Sequence, residues 1–319
     1  MTVHSRKAWW LGLARLASIL AGVGLVTTRL GLIAHEFVGH GGTALAFGGS
    51  VEKVRLFWFA GGWIDYDLPR PYDLTARVAV SLGGIALELV IGLAVWIALA
   101  RRTSLAGKIA RATGGAIVIH AAWYLGAGTY HGFGDGRIVR LAAGDWRYVI
   151  AIAAGAVVVG FAFAAARAII GVLAATVPGG RRAQIAGVIV ACVLAGGLQA
   201  ALAIGEVQLR RDDVYGTVME PERQRMAAQE LAQWEREQKL RGAIDPEARR
   251  ARAAELAAKH RELPFAAILA VLTLLAILAG TWRARPGVTD SIPTRLVYKV
   301  AAFAAGSVAL VIAIDAAFA

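Results

Sequence analysis

The sequence predicts an all-α polytopic membrane protein. About six to seven transmembrane helices are expected, with a small membrane-associated β-hairpin and a polar helical hairpin. Three observations carry this reading. Of 319 residues, 58% are hydrophobic and the mean hydropathy is +0.59, whereas soluble domains are roughly 45–50% apolar. Runs of about 20 apolar residues, enough to span a bilayer core, recur along the chain. Twelve Lys/Arg and twelve Asp/Glu cancel within residues 206–262, so the net charge of +12 falls in the apolar remainder, as 22 basic against 10 acidic residues. Basic residues at span ends face anionic lipid and the cytoplasm. No basic stripe with interleaved aromatics appears, so the expected partner is the lipid bilayer and not nucleic acid.

The first apolar segment, 9–47, is too long for one helix confined to hydrocarbon. Residues before Ala17 are expected at the interface, which suits Trp9 and Trp10. The segment lacks the pattern of a removed signal peptide and is expected to stay. In 48–73, Val51, Val54, Leu56, Trp58 and Ala60 are mixed with Glu52, Lys53 and Arg55 before Gly61-Gly62. This predicts a β-hairpin over 48–65. Open sheet edges are not tolerated against lipid, so the hairpin must pack on protein or stay wet. Further spans are expected near 75–100, 112–128, 148–175, 184–205, 264–282 and 297–317, of which 112–128 is the least distinct. Within 206–262, residues 221–240 and 245–260 read as two helices, with Asp245 as N-cap, Pro246 at the first helical position and Gly242 in the turn. This hairpin is either solvated or a docking or gating element. Four units follow: a membrane core at 1–147, two helices at 148–205, the polar hairpin at 206–262 and a C-terminal helix pair at 263–319. The single cysteine, Cys192, has no internal disulfide partner and is expected to pack.

The stretch His35-Glu36-Phe37-Val38-Gly39-His40 lies inside the first apolar segment. An ionisable cluster in hydrocarbon is costly and marks a functional site by default. It nearly spells H-E-x-x-H, in which two histidines one helical turn apart hold zinc and the Glu is the general base. Here the second histidine comes one residue late. On a regular helix, residues five apart point about 140° away from each other, so His35 and His40 would not share an ion. A π-bulge with i→i+5 bonding returns them to one face, and Gly39, without a Cβ, is the expected site of distortion. The alternative is a regular helix with Glu36 and His40 hydrogen-bonded. A zinc site needs a third protein ligand and an open position. The candidates in or beside apolar segments are Glu88, His120, His131, Asp135 and Asp315. Asp135 is flanked by Gly134 and Gly136, which let backbone approach closely; alternatively it is an ordinary Asp-Gly turn. His131 is the rival ligand, while His120 is expected to support the site or pack.

These residues resemble the site-2 protease family of intramembrane zinc metalloproteases. His35-Glu36 with His40 resembles its first motif. Gly48-Gly49-Ser50-Val51-Glu52-Lys53-Val54 resembles its membrane-associated hairpin. Gly83-Gly84 with Glu88 resembles its small-residue helix, and Gly134-Asp135-Gly136 its Leu-Asp-Gly motif. The resemblance covers about residues 17–140. The chain departs from the family in its H-E-x-x-x-H spacing, a form known in soluble dipeptidyl peptidase III, in lacking prolines before the Asp motif, and in carrying Glu88 where the family has a neutral amide. The resemblance implies Zn²⁺ held by His35, His40 and Asp135, a bound water acidified to a pKa of roughly 7, and Glu36 as general base. The substrate would be a membrane-protein segment paired to the hairpin at 48–65.

Two other readings stand beside it: a zinc-dependent membrane hydrolase of a lipid or small amide, and a catalytically inactive scaffold or regulator of the same fold. No inverted repeat suggests a transporter, and six histidines are too few for His-rich di-iron sites. Composition points to a bacterial inner membrane. Orientation stays open. Arg101, Arg102, Lys108, Arg111, Arg181, Arg182, Arg283 and Arg285 are expected at the end opposite the metal residues, which makes that end cytoplasmic. The family resemblance puts the site near the cytoplasmic face instead. An extra crossing between Trp9 and Thr28 would flip only the N-terminus.

Overall fold

A computed structural model describes residues 3–70, 73–170, 173, 177–240, 242, 244–284 and 292–318. Arg285 and part of the end of the expected span 148–175 lie outside the described residues. Helix α1 (Val3–Ile33) runs without a break through a π-helix (Ala34–Gly41) into α2 (Gly42–Ala46). The chain therefore makes no extra crossing between Trp9 and Thr28. At about 1.5 Å per residue this rod is roughly 60 Å long, about twice the hydrocarbon thickness, so its ends reach past the apolar layer.

Among the described residues six helices are long and apolar enough to cross a membrane: Arg6–Ala46, Leu74–Ala98, Trp146–Ile170, Arg181–Arg210, Phe265–Arg283 and Thr294–Phe318. They contain α3 (Leu74–Ala98), α6 (Trp146–Ala165) with a short π-helical end (Ala166–Ile170), α7 (Arg181–Arg210), α11 (Phe265–Arg283) and α12 (Thr294–Phe318). The less distinct stretch at 112–128 falls within α4 (Leu105–His131), which packs between α3 and α6. Its Gly114, Gly115, Ala121, Ala122, Gly126 and Ala127 are buried. A central helix needs small side chains for close approach more than lipid-facing bulk, which explains its weaker hydropathy. Asp73 caps α3 by accepting from the N–H groups of Thr75 and Ala76, and Ser104 caps α4 by accepting from Gly107.

The later helices are built onto the first. Leu13, Leu16, Ile19 and Val23 of α1 share one buried cluster with Ile109 of α4 and Val188 and Ala191 of α7. Arg181 donates to the carbonyls of Thr281 (2.7 Å) and Ala284 (2.9 Å). The start of α7 thus meets the end of α11 at the face opposite the hairpin.

Strands β1 (Ser50–Leu56) and β2 (Gly62–Asp67) pair antiparallel, two residues beyond the expected end at 65, with an irregularity between Val51 and Lys53. The turn between them is the part most exposed to the cost of unpaired peptide groups in a membrane. Arg29 of α1 donates to the carbonyls of Phe57 (2.7 Å), Phe59 (3.0 Å) and Ala60 (2.7 Å). Glu206 of α7 accepts from the N–H groups of Trp58 (2.6 Å), Phe59 (2.6 Å) and Ala60 (3.1 Å). Arg210 bridges Glu206 (3.1 Å) to Asp315 of α12 (2.6 Å), and Asp315 accepts from Leu56 N–H (3.0 Å). Three helices therefore clamp one turn.

The polar segment contains α8 (Asp213–Met219), which the sequence reading missed, then α9 (Glu222–Lys239) and α10 (Pro246–Lys259). Asp245 caps α10 by accepting from Glu247 and Ala248, with Pro246 in its first turn. Arg249 and Lys259 of α10 pair with Glu235 (2.6 Å) and Glu230 (2.7 Å) of α9. The segment leans on the hairpin and the Asp135 loop: Gly61 N–H donates to Tyr215 Oη (3.2 Å) and Gly134 N–H to Val218 O (2.8 Å).

Glu206→Ala strips the turn of its acceptor and leaves Arg29 and Arg210 short of a counter-charge. It should cost about 3 kcal/mol or more, read as a lower melting temperature in detergent micelles, with exposed Glu237→Ala as the unaffected control. Equal melting of both variants would refute the clamp.

Candidate metal centre

The π-helix Ala34–Gly41 carries His35, Glu36 and His40, all buried. With i→i+5 bonding the two histidines share a face. Their rings meet edge-on with centroids 4.6 Å apart. His35, Glu36 and His40 offer ligand atoms that all lie within 4.8 Å of one another. Gly39 acts here by contact: a Cβ on it would lie 2.3 Å from Gly84 Cα of α3. Gly84 in turn receives the His35 ring, since a Cβ there would sit 2.7–2.8 Å from three ring atoms.

Asp135 comes from the turn between α4 and α5 (Gly136–Ala143). Gly134 has φ +53° and a Cβ on it would overlap Tyr124 Oη, while Asp135 N–H donates to that same hydroxyl (3.4 Å). A Cβ on Gly136 would lie 2.1 Å from the backbone of Gly128. These contacts press the turn against α4 and aim the carboxylate at the histidines. Asp135 Oδ2 lies 2.9 Å from His35 Nε2 and 3.1 Å from His40 Nε2. Burial alone would raise the Asp135 pKa, but the facing His40 and His35 imidazoles overcome it and hold the carboxyl well below the usual range.

The opposite ring nitrogens reveal what the site wants. His40 Nδ1 lies 2.6 Å from Val80 O, which only accepts, so Nδ1 bears the proton. His35 Nδ1 faces Glu88 Oε2 at 3.3 Å. Neutral imidazoles would then aim both Nε2 lone pairs at one carboxylate oxygen, an arrangement relieved either by protons on those nitrogens or by a cation held among the three groups. A tetrahedral ion about 2.0–2.1 Å from each ligand separates them by about 3.3 Å, within a few tenths of an ångström of the observed spacings. The residues fit a metal ion.

His35, His40 and Asp135 are brought together. Glu88 orients His35 from behind and also faces His120 Nδ1 (3.4 Å). His131 is not at the centre: its Nε2 accepts from Ala266 N–H (3.4 Å), so Nδ1 donates to Glu262 (3.1 Å). Asp315 belongs to the hairpin clamp. His40 does not bond Glu36, whose carboxylate has no hydrogen-bond partner among the described residues. Glu36 borders two cavities. One, about 610 Å³, is lined by Leu32, Trp123, Ile204 and Val207; the other, about 200 Å³, by Trp63, Ile64, Tyr66, His40 and Asp135. Sequence reasoning missed Tyr124, although it lies one turn after His120 on α4.

Comparison with protein-family models, curated proteins and solved structures yields no match for this chain.

If the group holds a metal ion, His35→Ala, His40→Ala and Asp135→Ala should each lower the metal content measured by elemental analysis of purified protein, while His131→Ala retains it. Glu88→Gln should weaken metal binding by about 10–100-fold in chelator competition. Full metal retention in Asp135→Ala would assign the third ligand elsewhere.

Proposed function

We propose that the protein is an intramembrane zinc metallopeptidase of the site-2 protease type, cleaving a peptide bond in or near a transmembrane segment of another bacterial inner-membrane protein. The observation that carries this reading is one cavity shared by Glu36, His40, Asp135 and β2. Gly62, Trp63, Ile64 and Tyr66 line it beside the candidate metal ligands. β2 pairs only with β1 among the described residues, so its other edge is open towards this space. An extended substrate needs partners for its peptide groups inside a membrane. Adding it as a strand on β2 supplies them and holds the chain beside Glu36.

The roles follow from position. His35, His40 and Asp135 would hold the ion, and Glu88 and the Val80 carbonyl fix the ring tautomers that leave both Nε2 atoms free to do so. Zinc supplies Lewis-acid polarisation and makes water acidic near neutral pH. Glu36, buried and unpartnered, accepts the water proton and returns it to the leaving amine nitrogen. The apolar cavity beyond Glu36 suits the membrane-buried part of the substrate.

Glu36→Gln is nearly isosteric and should keep its zinc. Its cleavage of a transmembrane reporter substrate should fall by about 10²–10⁴-fold, seen as loss of the product band. Wild-type cleavage by this variant would discard the mechanism.

A further inference from the structure

A third cavity, about 440 Å³, shares Arg137 and Ile138 with the cavity of Glu36, His40 and Asp135 and has a different chemistry. Arg77, Arg137, Arg140 and Arg147 line it with Leu141, and Glu222 is its sole carboxylate. Arg140 is paired with Glu262 (2.9 Å) and Arg137 with Glu222 (3.2 Å). Arg77 and Arg147 have no ion pair among the described residues. Arg147 Nη2 donates to Tyr148 Oη (2.7 Å), but its buried Nε has no hydrogen-bond partner. Two guanidinium groups thus face one cavity with no ion pair of their own, Arg147 lying over the Tyr148 ring and the single carboxylate, Glu222, being taken by Arg137; their fork geometry suits phosphate.

The setting identifies the phosphate carrier. Arg77 lies in the first turn of α3 and Arg147 in the first turn of α6, so both sit where their spans begin. Around them Leu141 (70% exposed) and Trp146 (71%) project outward, and Val149 and Ile152 continue an apolar surface down α6. Trp at this level marks the headgroup boundary. A free anion would use the arginines and leave this apolar surface idle; a phospholipid uses both.

We propose that this cavity binds the phosphate headgroup of an anionic phospholipid whose acyl chains lie against Val149 and Ile152. Arg137 also lines the cavity of Glu36, His40 and Asp135, so the bound headgroup sits one side chain from the metal centre. The assignment does not depend on the peptidase reading.

Native mass spectrometry of the full-length protein tests it, with titrations of phosphatidylglycerol and phosphatidylcholine carrying identical acyl chains. Wild type should bind phosphatidylglycerol at least about tenfold more tightly, an advantage that added salt erodes. Arg77→Gln/Arg147→Gln should lose that preference, and Arg101→Gln/Arg102→Gln at the opposite face should keep it. Equal binding of both lipids by wild type, or an undiminished preference in the Arg77/Arg147 variant, overturns the proposal. So does inorganic phosphate binding as tightly as phosphatidylglycerol, which would make the ligand a free anion. If the double variant melts below wild type in phosphatidylcholine, the wild-type lipid comparison and its salt dependence decide alone.

Discussion

Everything at the centre depends on one backbone irregularity. A regular α-helix would turn His35 and His40 to different faces; the π-helix Ala34–Gly41 turns them to one. Such a segment gives up regular i→i+4 bonding, so something must hold it. The surroundings do so by contact. α3 presents Gly83 and Gly84 flush against Gly39, close enough that a Cβ at any of the three would collide with backbone or with the site. The same surface receives the His35 ring, while the Val80 carbonyl and Glu88 take the Nδ1 protons. α3 therefore fixes helix shape, ring position and tautomer together. A change of one methyl group on this surface would be felt at the candidate metal ligands.

The second constraint is the solvent. Peptide groups without partners are costly in a bilayer, yet a hairpin beside the centre needs a non-helical turn. Arg29 and Glu206 resolve this as complementary templates: the guanidinium covers carbonyls of the turn and the carboxylate covers its N–H groups. Both charges are buried and would be expensive alone; across the turn they face each other and become structural. One end of β1 is likewise closed, by Asp315 on Leu56 N–H. β2 pairs with β1 alone among the described residues, and its Gly62, Trp63, Ile64 and Tyr66 line the cavity of Glu36.

What the sequence revealed follows the same division. Spans, the hairpin and the capped polar helices were legible because each is a local pattern: apolar length, β-branched alternation, an Asp-Pro helix start. The need for a π-helix was legible because it is arithmetic on a spacing. The flanking glycines favoured Asp135 over its rival His131, and the contacts of Gly134 with Tyr124 and of Gly136 with Gly128 are what press that turn against α4. The clamp was the avoidable omission. Arg29 and Glu206 are charges inside apolar spans, the very signal that singled out His35 and Glu36. Their partners in the turn lie 146–148 residues away for Glu206 and 28–31 for Arg29, so the signal was visible where the pairing was not.

The two cavities that meet at Glu36 extend this logic from folding to use. One is mostly apolar, with Leu32, Trp123, Ile204 and Val207 beside Arg29, Glu88, His120 and Gln208; the other carries β2, Asp135, Arg137 and Arg225. A chain passing from the first to the second would leave hydrocarbon as it enters a space with a strand edge to pair against. Losing helical hydrogen bonds would cost least where replacements already exist. Glu36, with no hydrogen-bond partner among the described residues, lines both cavities and so stands where those two environments join, beside the strand that offers an extended backbone its pairing groups.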